Sequence, residues 1–279
     1  MLPILDDHAH LCPWGRRSEA VRQFKNAGGT HLIISHMPYE SKPILKKEDW
    51  KDEYRITIEL TREAERDTGV RTFCVLGPYP VDLIGLSERL GLEKGVQLMM
   101  EGVDVAAEMV MEQEAIGIGE VGRPHFLVAQ DILEKSNEIA RYCFEKARDL
   151  DCAVVVHSER VDENNLRWLS QLAREVGLKP ERVVRHFCGK LERAWSAEGI
   201  TISVLASREN VLSAIEQERD FMMETDYLDD PTRPGAVLSL STVPKRTRQL
   251  FEEGKIDEKL WQKIHVDMPL RAYRIDTSV

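Results

Sequence analysis

Eight short runs rich in valine, isoleucine and leucine recur along the chain, and longer segments with helical periodicity separate them. Runs that are apolar at nearly every position are typical of parallel strands covered on both faces. Several of the helical segments end at a glycine, which suits a helix end that precedes a strand. The predicted strands are 3–11, 30–37, 70–79, 115–122, 152–159, 182–189, 200–206 and 220–227.

This alternation predicts an α/β fold with a parallel sheet. Eight strand–helix units in 279 residues match a (β/α)8 barrel, or TIM barrel, which typically takes about 250 residues. No linker rich in Pro, Gly or Ser divides the chain, so we expect a single domain over 1–279. An open, doubly wound sheet is the alternative, although no GxGxxG sequence follows an early strand.

The composition argues against several classes of protein. No run of about 18 apolar residues could span a bilayer, and the first strand leaves no room for a signal peptide, so we expect a cytoplasmic protein without membrane contact. The five cysteines are scattered and contain no CxxC pair, which argues against a disulfide framework or a zinc knuckle. The formal net charge of −10 argues against a large DNA-wrapping surface, but not against a nuclease whose metal ions supply positive charge.

Side chains of the metal-ligand type lie near the carboxyl ends of five predicted strands. The intervals from Glu120 to His157, from His157 to His186 and from His186 to Asp226 are 37, 29 and 40 residues, about one strand–helix unit each. In a barrel, the carboxyl ends of all strands meet at one mouth, where the active site lies. The residues concerned are His8, His10, Glu120, His157, His186 and Asp226.

Four imidazoles and two carboxylates in one apolar mouth need compensation, because unpaired polar groups are costly to bury. A pair of divalent cations would bind all of these side chains at once. Mixed imidazole and carboxylate ligands favour Zn²⁺, Mn²⁺, Co²⁺ or Fe²⁺ over Ca²⁺. Each residue alone has an ordinary explanation, such as a core histidine or a helix cap, but their recurrence at five strand ends predicts a metal site.

The first predicted strand carries Asp6, His8 and His10 at every second position. Side chains at i, i+2 and i+4 of a strand share one face, so the pattern predicts that all three point the same way. Asp6 is then placed to accept a hydrogen bond from an imidazole and fix its orientation. A hydrogen bond with a purely structural role is the alternative for Asp6.

The segments that carry these residues resemble the TatD family of metal-dependent hydrolases, which belongs to the amidohydrolase superfamily of (β/α)8 barrels. The likeness runs in order from residue 4 to about residue 230. The matching segments are DDHAH with His8 and His10, AIGIGEVG with Glu120, VVVHSE with His157, VVRHFCG with His186, and METD with Asp226.

The resemblance implies a site with two divalent metal ions, which could be Zn, Mn, Mg or Co. Glu120 would bridge the two ions, and Asp226 would transfer protons as well as bind metal. In this assignment His8, His10 and Asp226 hold one ion, and His157 and His186 hold the other.

The loops that would touch the substrate depart from the family's pattern. After the bridging glutamate the chain reads Val-Gly-Arg-Pro-His-Phe, where family members usually have Gly, an apolar residue, Asp and Tyr. Arg123 could bind a phosphate or carboxylate through its planar guanidinium, with a salt bridge on the barrel rim as the alternative. His125 could contact substrate or be an ordinary loop residue. His36 could line the mouth, whereas His31 and His265 are expected to be structural.

The family likeness implies hydrolysis of phosphodiester bonds, including 3′ exonuclease action on DNA, by a metal-activated water. The partner would then be a small-molecule or nucleic-acid phosphodiester. Two alternatives stay open. One is an amidohydrolase that opens a small cyclic amide, lactone or ester, and the other is a non-catalytic metal-binding protein. The presence of every ligand position argues against the second alternative.

Overall fold

The computed structural model describes residues 2–192, 196, 198–233, 235 and 237–278. Within them, nine parallel strands form one sheet. All eight predicted strands are found, and a short ninth strand follows the last of them. The strands are β1 (Leu5–His10), β2 (His31–Ser35), β3 (Arg71–Leu76), β4 (Gly117–Gly122), β5 (Ala153–His157), β6 (Val183–Cys188), β7 (Thr201–Leu205), β8 (Phe221–Glu224) and β9 (Tyr227–Leu228).

Helices connect most successive strands, and two helices lie between β3 and β4. The described residues of the β6–β7 connection contain no helix. None of the described helices has the length and apolar character needed to cross a membrane. The α-helices are α1 (Ser18–Asn26), α2 (Lys47–Thr68), α3 (Asp82–Leu90), α4 (Leu92–Met111), α5 (Gln130–Leu150), α6 (Glu163–Val176), α7 (Arg208–Glu216), α8 (Thr242–Glu252), α9 (Glu258–Gln262) and α10 (Met268–Tyr273).

The order of the strands decides between the two predicted architectures. From β1 to β8, each strand pairs with its neighbour in sequence, and β9 pairs with the other side of β1. A doubly wound sheet would reverse this order at a switch point, so that alternative is wrong. The α/β class is confirmed, and the sequential order is compatible with the predicted TIM-barrel-like fold.

The two edges of the sheet meet at a seam that consists of Thr225 and Asp226. These two residues are all that separates β8, at one edge, from β9, at the other. The backbone N–H of Asp226 donates to the carbonyl oxygen of His8 at 2.9 Å, across the seam. The sheet therefore curls until the end of β8 lies beside β1.

Apolar side chains fill the space that the sheet encloses. One buried cluster takes side chains from six strands and from α10, which lies against the interior. A second, larger cluster lies between the sheet and helices α1, α2, α4 and α5. The strand members of the interior cluster include Leu5, Ile33, Val75, Val155, Val184 and Met222.

Strand β1 does not keep a regular alternation. Its pairing with β2 runs from Asp6 opposite Leu32 to Ala9 opposite Ile34, so β1 advances three residues where β2 advances two. Such an extra residue is a bulge, and it turns the side chains that precede it relative to those that follow. The predicted common face of Asp6, His8 and His10 is therefore wrong, because the bulge separates Asp6 from the two histidines.

His265 is structural, and it predicts an acid-dependent loss of stability. Its Nδ1 accepts the backbone N–H of Leu5 at 3.2 Å, so Nε2 carries the hydrogen and faces the Thr247 hydroxyl at 3.1 Å. Burial lowers the pKa of the His265 imidazole from 6.5 to about 3. Below pH 6.5 the unfolded chain binds a proton that the folded chain refuses, so the free energy of unfolding falls by up to about 1.4 kcal/mol per pH unit.

Urea unfolding between pH 7.5 and 4.5, with a chelator present, measures this effect. His265→Gln should lose less stability on acidification than the unchanged chain, because glutamine does not titrate. The other buried histidines contribute equally to both proteins and cancel in the difference. Parallel stability–pH curves for the two proteins would contradict the assignment.

Candidate metal centre

Two imidazoles from β1 meet one oxygen of Glu120. Nε2 of His8 lies 2.9 Å from Glu120 Oε1, and Nε2 of His10 lies 3.1 Å from the same oxygen. The two Nε2 atoms are 3.2 Å apart. His10 is oriented by Ser35, whose carbonyl oxygen lies 3.0 Å from Nδ1 of the ring. Strands β1, β2 and β4 together fix this half of the centre.

The other oxygen of Glu120 faces a second pair of imidazoles, supplied by β5 and β6. Nδ1 of His157 lies 2.9 Å from Glu120 Oε2, and Nε2 of His186 lies 3.3 Å from it. These two nitrogens are 3.1 Å apart. One buried carboxylate thus lies between two groups of nitrogens, with one oxygen turned toward each group.

Asp226 joins the first of these groups from the seam between β8 and β9. Its Oδ1 lies 3.6 Å from Nε2 of His8 and 3.4 Å from Nε2 of His10. The residue has a φ of 49°, a left-handed conformation that non-glycine residues seldom adopt. Burial raises the pKa of this carboxyl, but the neighbouring His10 and His8 outweigh it, so the pKa lies below its usual value.

The six side chains are strongly coupled. Burial works against the ionised form of Glu120, yet His186, His8 and His10 hold the pKa of its carboxyl well below the usual range. Burial also works against a charged His10, but the carboxylates of Asp226 and Glu120 raise the pKa of this imidazole to about 10. The pKa of His186 is likewise raised to about 10, against burial, chiefly by Glu120. These carboxylates therefore favour positive charge on the imidazoles of His10 and His186.

The donor set fits divalent cations. Nδ1 of His10 faces a carbonyl oxygen, to which it donates, and Nε2 is turned to the oxygens of Glu120 and Asp226. Nε2 carries a proton in the imidazolium form that these carboxylates favour, and a divalent cation bound by the same atoms would replace that proton. Ligand atoms within 4.8 Å of one another occur in two groups, one of His8, His10 and Asp226 and one of His8, Glu120 and His186. Nitrogen and carboxylate donors in this mixture suit Zn²⁺, Mn²⁺ or Co²⁺.

Asp6 does not contact an imidazole nitrogen, contrary to the prediction. Its carboxylate accepts the backbone N–H of Thr225 at 3.1 Å and the Thr225 hydroxyl at 2.7 Å. It also accepts the backbone N–H of His8 at 3.3 Å. The bulge in β1 aims Asp6 at the seam, where it holds the residue that precedes Asp226.

The two predicted substrate residues have different surroundings. Arg123 donates to the side-chain oxygen of Asn137 at 2.6 Å and to Glu159 at 3.0 Å, and its guanidinium stacks 3.4 Å from the ring of Trp168. This is the rim salt bridge, not a group facing the metal centre. His125 is exposed, and its Nδ1 lies 2.9 Å from Nε2 of His157, so it borders the centre.

Several polar side chains near the mouth were not predicted from the sequence. The hydroxyl of Tyr79, just after β3, lies 3.3 Å from Nε2 of His157. The Ser203 hydroxyl contacts both Asp7 at 2.6 Å and Glu224 at 2.5 Å inside the sheet. Tyr79 is the last residue of the predicted strand 70–79, so the same positional rule finds it once hydroxyl groups are considered. Asp7 lies two residues after Leu5, on the same inward face of β1, and the bulge between Asp6 and Ala9 has no signal in the sequence.

Comparisons with known proteins agree with this geometry. A family model described as TatD related DNase matches residues 5–274. An uncharacterized protein of Methanocaldococcus jannaschii, MJ1127, is 38% identical over 281 residues, which cover 100% of this chain and 98% of that protein. The crystal structure of YJJV, a TatD homologue from Escherichia coli, has a TM-score of 0.66 at 16% identity and covers 98% of each chain.

A mutant of the PTE-like lactonase from Deinococcus radiodurans has a TM-score of 0.65 at 13% identity, covering 98% of this chain and 96% of that one. At such low identity, the two solved structures show only the shared fold. The family model, in contrast, spans nearly the whole chain, and it includes every residue of the candidate centre. The chain belongs to the TatD related DNase family.

Proposed function

We propose that the protein is a metal-dependent hydrolase that cleaves phosphodiester bonds with two divalent ions, which could be Zn, Mn, Mg or Co. His8, His10 and Asp226 would hold one ion, His157 and His186 would hold the other, and Glu120 would offer one carboxylate oxygen to each. The observation that carries the proposal is the division of the other five side chains into two groups around Glu120. One carboxylate with each oxygen turned to a different pair of imidazoles is the arrangement that a bridged pair of cations requires.

When bound, such a pair of ions lowers the pKa of water and polarises a substrate oxygen. The protein's own side chains transfer protons during hydrolysis and hold the groups that do so in position. Asp226 is partly accessible and anionic, since its pKa lies below the usual value. It can therefore accept the proton of the attacking water and return it to the leaving oxygen. The hydrogen bonds from Thr225 to Asp6 fix the backbone that carries this carboxylate.

Membership of a family described as DNase-related supports phosphodiester bonds as the target. The second candidate is hydrolysis of a small lactone, cyclic amide or ester by the same ions, since a PTE-like lactonase shares the fold. A non-catalytic metal-binding protein is the third candidate. A partly accessible anionic carboxylate beside the imidazoles argues against this last candidate, because a purely structural site is closed by its ligands.

A substrate panel tests the proposal. The protein, loaded with each metal in turn, is assayed on bis-p-nitrophenyl phosphate, on single-stranded DNA and on a set of lactones. We expect hydrolysis of at least one phosphodiester, with loss of that activity on chelation. Activity on lactones alone would assign the protein to the second candidate, and no activity with metal bound would favour the third.

Asp226→Asn tests the proton-transfer role within the same panel. Because the amide cannot accept the proton, we expect kcat to fall by about 10²- to 10⁴-fold. Metal content is measured alongside, so that loss of an ion is separated from loss of the base. Asp230→Asn is the matched control, since Asp230 lies four residues further along the chain, just after β9, and its carboxylate accepts from Thr232. Unchanged hydrolysis with metal bound would remove Asp226 from this role.

A further inference from the structure

Exposed apolar side chains concentrate at the mouth that carries the metal centre. Leu127 is fully exposed, and Phe126 and Phe187 are 48% and 44% exposed. Phe126 and Leu127 belong to the loop after β4, and Phe187 lies near the end of β6. Trp14, after β1, is also about half exposed (48%). Large apolar side chains grouped around a site, rather than scattered singly, mark a binding surface.

Two of these rings are continuous with the imidazoles of the centre. The ring of Phe126 contacts His125 at a centroid distance of 5.1 Å, and His125 contacts His157 at 5.1 Å. The ring of Phe187 lies 6.2 Å from that of His186. The two phenylalanines therefore flank the half of the centre formed by His157 and His186.

The backbone of Phe187 is in an unusual conformation, with a φ of 55°. This left-handed region is unfavourable for a bulky residue, and such outliers persist where the surroundings hold them. Here the backbone N–H of Phe187 donates to the buried carboxylate of Glu224. The chain thus keeps a strained residue whose ring is displayed at the mouth rather than packed in the core.

The described cations of the rim are mostly occupied by other groups. Arg123 is held by Glu159, Asn137 and Trp168, and Arg17 pairs with Glu63. Arg160 and Arg233 are exposed on the segments that follow β5 and β9. A single guanidinium of this kind suffices for one phosphate group. A polynucleotide backbone is usually bound by several cations along a groove.

We infer that Phe126 and Phe187 bind an aromatic ester group of the substrate, and that the natural substrate is a small phosphodiester bearing such a group, not a polynucleotide. The inference rests on the proposed phosphodiester hydrolysis and specifies its substrate class. The ring could belong to a simple aryl ester or to a single nucleoside ester. Both would stack on the two phenylalanines in the same way.

The test compares phenyl p-nitrophenyl phosphate with methyl p-nitrophenyl phosphate, which release the same product. We expect a kcat/KM ratio of about ten or more in favour of the phenyl ester, as one stacking contact gives. The double variant Phe126→Ala/Phe187→Ala should bring the ratio close to one. Phe251→Ala, which removes an exposed ring from α8 instead, should leave the ratio unchanged, and thermal melts check folding of all variants.

Two further substrates test whether the ring belongs to a nucleoside or to a simple aryl group, and whether a polynucleotide is preferred over the small esters. Thymidine 5′-(p-nitrophenyl phosphate) preferred over the phenyl ester would identify a nucleoside as the source of the ring, and the reverse would identify a simple aryl group. Each result supports the inference. A single-stranded oligonucleotide hydrolysed with a higher kcat/KM than all the small esters would overturn it, as would a phenyl-to-methyl ratio that the double variant leaves intact.

A binding measurement separates this inference from the proposed function. Phenylphosphonate and methylphosphonate cannot be hydrolysed, so calorimetry on the metal-loaded protein reports recognition alone. Tighter binding of phenylphosphonate, lost in the double variant, would support the aromatic site even if no phosphodiester is cleaved. Equal affinities for the two phosphonates would overturn the aromatic site while leaving the hydrolase proposal standing.

Discussion

Replacing Glu120 by glutamine is expected to reduce kcat by about 10³-fold or more and to lower the amount of metal bound. A single carboxylate lies between the two groups of imidazoles, and burial keeps water from substituting for it. Glutamine keeps the size of the side chain but replaces one oxygen with an NH₂ donor. The amide carries no negative charge, and its NH₂ group cannot bind a metal ion on its side of the centre. Metal per chain, measured by mass spectrometry after identical loading, and kcat with the best ester of the panel check this expectation.

Glu114→Gln is the matched control for this substitution. Glu114 lies just before β4, the strand that carries Glu120, and its side chain pairs with Arg62 at the surface at 3.0 Å. Surface pairs of this kind contribute about 1 kcal/mol or less, so metal content and kcat should match those of the unchanged protein. A Glu120→Gln protein with full metal and full activity would contradict the bridging role.

Arg185→Met is expected to lower the free energy of unfolding by about 3–5 kcal/mol. Arg185 is 1% exposed, and no carboxylate pairs with it among the described residues. Its guanidinium donates to the side-chain oxygen of Asn165 at 3.0 Å and to the backbone carbonyls of Glu159 at 2.6 Å and His186. Methionine fills the space but leaves these acceptors unsatisfied in the interior.

Because the lost bonds connect the ends of β5 and β6, the change should also displace His157 and His186, and kcat should fall. Urea unfolding and a thermal melt measure the stability, and the midpoint should drop by about 10 °C or more. Arg141→Met is the control, since Arg141 forms an exposed pair with Glu175 on the outer helices, and its loss should cost about 0.5 kcal/mol or less. Equal stabilities of the two variants would show that the buried guanidinium is dispensable.

The positions of the six candidate ligands could be predicted because the topology constrains them. Parallel strands place all their carboxyl ends at one edge of the sheet, so His157 and Asp226 must approach each other although they are far apart in sequence. The apolar runs that define the strands are a local signal. Alternation and strand-end position are therefore enough to gather the polar residues, without knowledge of any side-chain contact.

The orientation of Asp6 and of Arg123 depends on distant partners and could not be predicted in the same way. Asp6 faces the seam because of a one-residue bulge that is set by pairing with β2. Arg123 turns away from the centre because Trp168, on α6, offers a stacking surface. Neither partner is near in sequence, and neither leaves a periodic pattern. Sequence spacing thus placed the centre well but could not show which rim side chains point into it.

Thr225 and Asp226 form the seam between the two edges of the sheet, and Asp226 also belongs to the candidate metal centre. An inserted residue in most surface loops is tolerated at little cost, but one added residue here would slide β9 along β1 and carry the carboxylate out of reach of both imidazoles. Reshaping this protein for new substrates should therefore succeed in the loop after β4 and fail at the junction of β8 and β9. The same two residues therefore connect the two edges of the sheet and position the Asp226 carboxylate beside His8 and His10.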